Sequence, residues 1–522
     1  MSRRRTQERQ DAAAAKIFED VVYNGVRVVC YQRKKKPAQP NRKGGATPSD
    51  EEADEMTGNF ARLLGILLPG ILVKLSQIDD PRDQSKVKYS IPMLMLFGII
   101  MFLCHSTSRR DANRVVADNN LLTMVEEFVP GVSELPHADT LARLLCKIDV
   151  EEIDRYYEEI LAGFIGSKQF REINPGRLII AEDGTQKFSR KYLWDDRALS
   201  RNAGDEKKQR FYVYALESVL ILENGMVLPL LTEILENHTN DTDKPGVDQT
   251  GAGKIGTSEL TIKQDCETKA FRRLSERLVK LVGMGCVTVL LDGIYASGPI
   301  VSICEKYGWD YMITLKRDCL TTVWEDFLGL QQIETDNSLL VQWGDRQQEY
   351  RWSNDLEYTY GKNHKKLKLN VVTCTETWTE EHPRSGGKPE EKKTEYAWLS
   401  SQRVTSENVF HLCTDLARSR WRIENNFLLV KHHGYNYSHC YSYNWNAMKG
   451  FHYLMKFGIF INVFIMFSVD VVEYVRIEGF RGFVKKIWGF LRNGKWTISE
   501  RSEKEAKKPR TRMRFTTLIK AA

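Results

Sequence analysis

"RLIIAEDGTQ" (residues 177–186) and "CVTVLLDGIYAS" (residues 286–297) decide the fold. Each opens with a few apolar residues and closes on an acid followed by glycine, at Asp183 and Asp292. Apolar runs this short, bounded by a turn signal, read as buried strands. Carboxyl ends of neighbouring strands converge in an α/β sheet, and ligands bind there. An Asp at that place, with Gly relaxing the backbone behind it, faces a shared pocket. Either "DG" alone is only a turn signal.

Working outward, "FYVYALESVLIL" (211–222) and "GMVLPLLTEIL" (225–235) flank Glu223, Asn224 and Gly225, a hairpin signal. "DCETKAFRRLSERLVKLV" (265–282) has the period of an amphipathic helix, and "DYMITLK" (310–316) reads as a third buried strand. The order strand, hairpin strands, helix, strand, helix, strand predicts an α/β core. Alternation and aromatic content in "SLLVQWGDRQQEYRW", "LEYTYGKNHKKLKLNVVTCTETW" and "TEYAWLSS" predict a β-rich insertion. A single helix follows, capped by Ser406 and ended by Gly434. Val409, Leu412, Leu416, Ile423, Phe427 and Val430 form its apolar stripe, and Arg420, Glu424 and Lys431 stand together beside it. Taken alone, that edge is a solvated Arg420–Glu424 ion pair.

The expected organisation is a basic tail and linker over 1–60, a helical, DNA-binding region over 61–170, and the first part of the core over 171–317. The insertion covers 318–405, the final core helices 406–475, and a basic C-terminal tail 476–522. In the helical region, Arg109 and Arg110 begin a helix where phosphate would be welcome. "SIPMLMLFGIIMFLC" (90–104) and "FGIFINVFIMFSV" (457–469) are too short to span a bilayer and read as buried helices, so no membrane is expected.

The 522-residue chain carries a net charge of +7, unevenly placed. Residues 1–45 sum to +8 and 481–522 to +10, which leaves −11 between them. Basic ends around an acidic centre suit a protein whose termini touch a polyanion while its middle holds cations; solvated tails would look the same. The ten cysteines include no C-x-x-C pair and mostly sit in apolar runs, as reduced thiols of a cytoplasmic protein do.

Asp183, Asp292 and Glu424 form a set of hard oxygen donors suited to Mg²⁺, with Mn²⁺ as a substitute. Two such ions activate a water or 3′-hydroxyl and stabilise the leaving oxygen of a phosphodiester. Arg420 and Lys431 would supply cations for the strand being cut. Asp195 and Asp196 compete with Asp183, and Asp265 and Glu267 with Asp292, but the preferred pair ends apolar strands, and acids at 265 and 267 suit a helix start. His432, His433, His439 and Cys440 lack the second pair a zinc finger needs.

Asp, Asp and Glu on strand, strand and helix, with a β-rich insertion before the last acid, resemble the DDE transposases of the bacterial insertion sequence 4 group. Arg420, Glu424 and Lys431 match that group's Y-x2-R-x3-E-x6-K signature, with Ala417 in place of its tyrosine. "LDGIYA" and "RWRIEN" are similar to the group's motifs as well. The resemblance implies a ribonuclease H-like catalytic core with Asp183, Asp292 and Glu424 as catalytic metal ligands. It further implies double-stranded DNA as partner, a homodimer in the synaptic complex, cleavage at terminal inverted repeats and joining of 3′-hydroxyls to target DNA. A nuclease that does not join, or a domesticated non-catalytic DNA-binding protein, would share the fold.

Overall fold

The computed structural model describes residues 17–23, 26–31, 50–116, 119–203, 208–237, 265–380, 389–492 and 513–515. In chain order these form β1 (Ile17–Tyr23), β2 (Val26–Tyr31) and seven helices: α1 (Asp50–Leu75), α2 (Ile91–Leu103), α3 (Arg109–Val116), α4 (Asn119–Phe128), α5 (Ala138–Leu145), α6 (Glu151–Ile165) and α7 (Lys168–Ile173). The core follows with β3 (Leu178–Arg190), β4 (Leu199–Ala203), β5 (Lys208–Ile221), β6 (Val227–Ile234), α8 (Glu267–Val282), β7 (Val287–Leu291), α9 (Gly298–Tyr307) and β8 (Asp310–Thr314). Then come α10 (Thr321–Leu330), the insertion strands β9 (Ser338–Trp343), β10 (Arg346–Tyr360), β11 (Lys365–Glu380) and β12 (Glu390–Ser400), and finally α11 (Trp421–His432), α12 (Trp445–Met466) and α13 (Val472–Arg492).

All twelve strands belong to one sheet, ordered β1-β2-β9-β10-β11-β12-β8-β7-β3-β5-β4, with β6 also on β5. Its core order is β6-β5-β3-β7-β8, in which three antiparallel strands are followed by two parallel ones. This is the ribonuclease H-like arrangement, in a mixed α/β molecule with a helical N-terminal region. The hairpin read at residues 223–225 turns through Gly225 at φ 89°, a conformation only glycine adopts freely. The insertion joins the core edge where Trp398–Ser400 pair with Met312–Thr314, so it extends the sheet.

Each sheet face has its own core. Ile180, Leu216, Val289 and Ile313 pack with α8, α9, α12 and the N-terminal helices, while Ala181, Val219, Leu290 and Met312 pack under the segment carrying Val409, Leu412 and Ile423. The helical region is therefore no separate lobe. α2 is buried along nearly its whole length against α12, and Gly458 leaves room for Phe102, whose Cβ lies 2.6 Å from where a side chain at 458 would begin. Both apolar runs read as buried helices lie in this core. Among the described helices, Glu55–Leu75 of α1 alone has the length and composition to cross a membrane, and half of its apolar window is buried inside the fold.

Three local expectations are corrected. The stretch read as tail and linker contains the β1–β2 hairpin, whose second strand pairs in parallel with β9, and also the start of α1. The C-terminal tail begins within α13, which buries Phe483, Val484, Ile487 and Trp488; most of the rest lies outside the described residues. The helix from Ser406 to Gly434 is not uniform: His411–Leu416 form a π-turn and Ala417–Arg420 a 3-10 turn before α11 begins. This change of winding sends Thr414 and Arg418 into the insertion, onto Tyr350 and Glu376, and leaves Arg420 facing β3.

Candidate active site

β3 and β7 run parallel, with Glu182 opposite Leu291 as their last registered pair. Asp183 and Asp292 are the next residues on each strand. They share the parity of Ala181 and Leu290 and so project from the face that α11 covers. The sequence-level reading of two converging strand ends thus has a definite geometry here.

α11 brings the third acid. The Arg420 guanidinium, 10% exposed, donates to Glu424 Oε1 at 2.7 Å and lies 3.6 Å from Asp183 Oδ2. Lys316, at the end of β8, places its ammonium 3.2 Å from Asp292 Oδ2. Its stem crosses Gly293 so closely that a Cβ there would lie 2.8 Å from it. Lys431 points inward: its ammonium donates to Thr185 Oγ1, and burial lowers its pKa against the pull of Glu217 and Asp183.

Charge balance differs between the two strand ends. Burial pushes Asp183 up to about 6, and Asp292 and Glu267 add to the rise, against Arg420 and the Gly184 N–H. Asp292 is also partly buried, but the Gly293 N–H, Lys316 and Arg420 hold it below the ordinary carboxylate range.

Glu267 earned only a helix-start reading from its position, which the first turn of α8 bears out. It also belongs to the site's surroundings. Tyr214 and Tyr295 each donate to it at 2.9 Å, and a Cβ on Gly184 would lie 2.6 Å from its carboxyl. Lys316 was missed as well, although its place at the end of a buried strand was the available signal. Of the other competitors, Asp195 pairs with Arg197 and Asp265 with Arg273. Ala417 is buried on the insertion side, while Trp421 is half exposed with Arg420 over its ring at 5.2 Å. A cleft of about 680 Å³ opens beside Asp292, with Lys316, Arg418, Arg420, Trp324, Tyr396 and Trp421 on its walls.

A family model described as "Transposase DDE domain" matches residues 259–459, and one described as "DDE_Tnp_1-associated" matches residues 72–159. The chain belongs to the DDE-type transposases. The insertion sequence 4 group is the usual home of this pair of domains. No curated protein matches the chain. Asp292, Arg420, Glu424 and Lys431 lie within the matched DDE domain, and Asp183 lies ahead of it. DDE transposases generally work with divalent metal ions. Among the described residues no three acid, His or Cys side chains close on a single point as a metal cage. Arg420 lies between Asp183 and Glu424, and Lys316 sits on Asp292. The donors themselves fit a hard cation: all are carboxylates, and burial, with Asp292 and Glu267 nearby, disfavours the charged form of Asp183 that a cation would stabilise.

Proposed function

We propose that this transposase binds the terminal inverted repeats of its own element, cleaves at the ends, and joins the freed 3′-hydroxyls to target DNA. The observation that carries this reading is the convergence of Asp183 and Asp292 at the ends of adjacent strands, under the helix that presents Arg420 and Glu424. Asp183, Asp292 and Glu424 would hold Mg²⁺, or Mn²⁺ in its place. When bound, the metal supplies positive charge that favours ionisation of the attacking hydroxyl and stabilises the leaving oxygen.

The chain's own cations do the rest. Arg420, released from Asp183 and Glu424, meets the phosphate of the strand being cut, and its planar fork suits two phosphate oxygens. Lys431 approaches the same phosphate from beside Thr185. The helical region 61–170 and the basic tails add phosphate contacts along the duplex. Both element ends are held together, so the working assembly is at least a homodimer, acting on DNA in the bacterial cytoplasm.

The test is incubation of the purified chain with labelled duplexes carrying the inverted repeats that flank its coding sequence, a target plasmid and Mg²⁺. End cleavage and joined products are expected. Cleavage without joining would make the protein a nuclease, and binding without cleavage would make it a non-catalytic DNA-binding protein.

A further inference from the structure

β3 and β7 pair only as far as Glu182 and Leu291, one residue short of the acid on each strand. β7 pairs with β8 no further than Leu291 either. The spacing of Asp183 and Asp292 is therefore not set by the ladder that brings their strands together. β3 is held past this point from its other edge, where Asp183, Gly184 and Gln186 pair with Glu217, Leu216 and Tyr214 of β5. The chain after Leu291 instead folds into one 3-10 turn, Gly293–Tyr295, in which the Tyr295 N–H donates to the Asp292 carbonyl at 3.0 Å.

One carboxylate touches both pieces from behind the acids. Strand alternation puts Asp183 on the face that α11 covers, and Gly184 with its partner Leu216 on the face that α8 covers. Glu267 opens α8 there. Its Oε1 accepts from the Tyr214 hydroxyl on β5 and its Oε2 from the Tyr295 hydroxyl, both at 2.9 Å. Gly184 makes the approach possible, since a Cβ on it would lie 2.6 Å from the Glu267 carboxyl and 2.5 Å from the Tyr214 ring. One turn along α8, Phe271 packs on the Tyr295 ring at 5.5 Å between centroids, and both rings are fully buried.

The link runs from β5 through Glu267 to Tyr295, and from the Tyr295 N–H to the residue that carries the second acid. A carboxylate suits the place because each of its oxygens accepts one hydroxyl, and a charged acceptor strengthens both bonds. We propose that Glu267 is a positioning residue: by tying Tyr214 to Tyr295 it fixes the two strand ends relative to each other, and with them the spacing at which Asp183 and Asp292 meet a divalent cation. This role rests on the reading of those two acids as metal ligands.

Titration of the purified full chain with Mn²⁺, followed by the electron paramagnetic resonance signal of the free ion, measures metal affinity without DNA or turnover. Tyr214→Phe and Tyr295→Phe each remove one hydroxyl and keep the ring, and melting curves recorded without metal check the fold. Each should weaken Mn²⁺ binding about tenfold, the scale on which lost outer-shell hydrogen bonds act at metal sites. Because the two bonds act in series, the double variant should lose no more than either single one. Glu267→Ala, which removes the tie and a nearby negative charge, should lose at least as much. Wild-type affinity in either single variant or in Glu267→Ala would overturn the clamp, and so would losses that multiply in the double variant, because the hydroxyls would then act independently. Asp183→Asn separates this from the reading beneath it. If that variant loses Mn²⁺ while the tyrosine variants keep it, only the clamp falls; if it binds Mn²⁺ as the wild type does, or the wild type binds none, the metal-ligand reading falls and the clamp with it.

Discussion

Arg418 and Arg420 leave the same short turn two residues apart and enter two different electrostatic environments. Arg418 goes into the insertion sheet, where the Glu376 side chain, fully buried, accepts from it, from Arg346 and from Gln348, with the Trp343 and Tyr396 rings alongside. Arg420 goes to the core part of the same sheet, with a close bond to Glu424 and a looser 3.6 Å approach to Asp183. Burial alone would raise Glu376, but those three donors hold it below the ordinary range, whereas Asp183 rises to about 6. A carboxylate with its lone pairs satisfied holds structure together. One that is buried and short of positive charge is ready to accept a further cation.

The largest effect expected from this contrast is catalytic. Asp183→Asn, Asp292→Asn, Glu424→Gln and Arg420→Ala should each cut end cleavage by on the order of a thousandfold or more. The three acid variants should bind element ends almost as the wild type does. Normal cleavage by any of the four would remove that residue from the catalytic side of the comparison.

Next in size is the structural side. Glu376→Gln strips a buried pair of its charge while leaving Arg346 and Arg418 in place, so denaturant unfolding should show a loss of about 3 to 5 kcal/mol. A loss below about 1 kcal/mol would mean that the insertion cluster is no more fixed than a surface pair.

A third region sharpens the contrast through pH. His105 adopts φ 56° and sits between Tyr435 and Phe480, with its Nε2 buried and without a hydrogen-bond partner among the described residues. Burial, with Arg481 nearby, lowers its pKa to about 4. The unfolded chain takes up this proton near pH 6.5 and the folded chain only near 4, so stability falls as pH drops across that window, by up to about 3 kcal/mol. His105→Asn tolerates the left-handed backbone and removes the proton. Its unfolding free energy should fall less than the wild type's between pH 7 and 4, and equal pH dependence would contradict the assignment.

The smallest effect is expected at Ala417→Tyr. Ala417 borders the cleft that Tyr396 and Trp421 already line. Cleavage should change by less than about threefold; a large gain would show that the aromatic is needed and absent.

Sequence pattern revealed the core strands because buried strands are short apolar runs, and it located Asp183 and Asp292 because each run ends on its acid. It did not show that β3 continues to Arg190, since the outer part of the strand alternates polar and aromatic residues around a bulge after Gln186. Nor could counting by 3.6 detect the π and 3-10 turns, because a change of winding alters facing without altering composition. Glu424 and Lys431 share the regular helix that begins at Trp421, and Arg420, in the turn before it, still meets Glu424. Glu267 was passed over because a helix-start acid needs no further explanation, and only the fold brings it to Gly184.

Metal-dependent thermal stability tests the central claim most directly, because it requires neither the element's end sequence nor turnover. Titrating Mg²⁺ or Mn²⁺ into the wild type should raise its melting temperature, corresponding to about 2.7 kcal/mol at a hundred times Kd. Glu376→Gln should show the same increment from its lower baseline, and Asp183→Asn and Asp292→Asn should show almost none. An undiminished increment in Asp183→Asn would contradict the account.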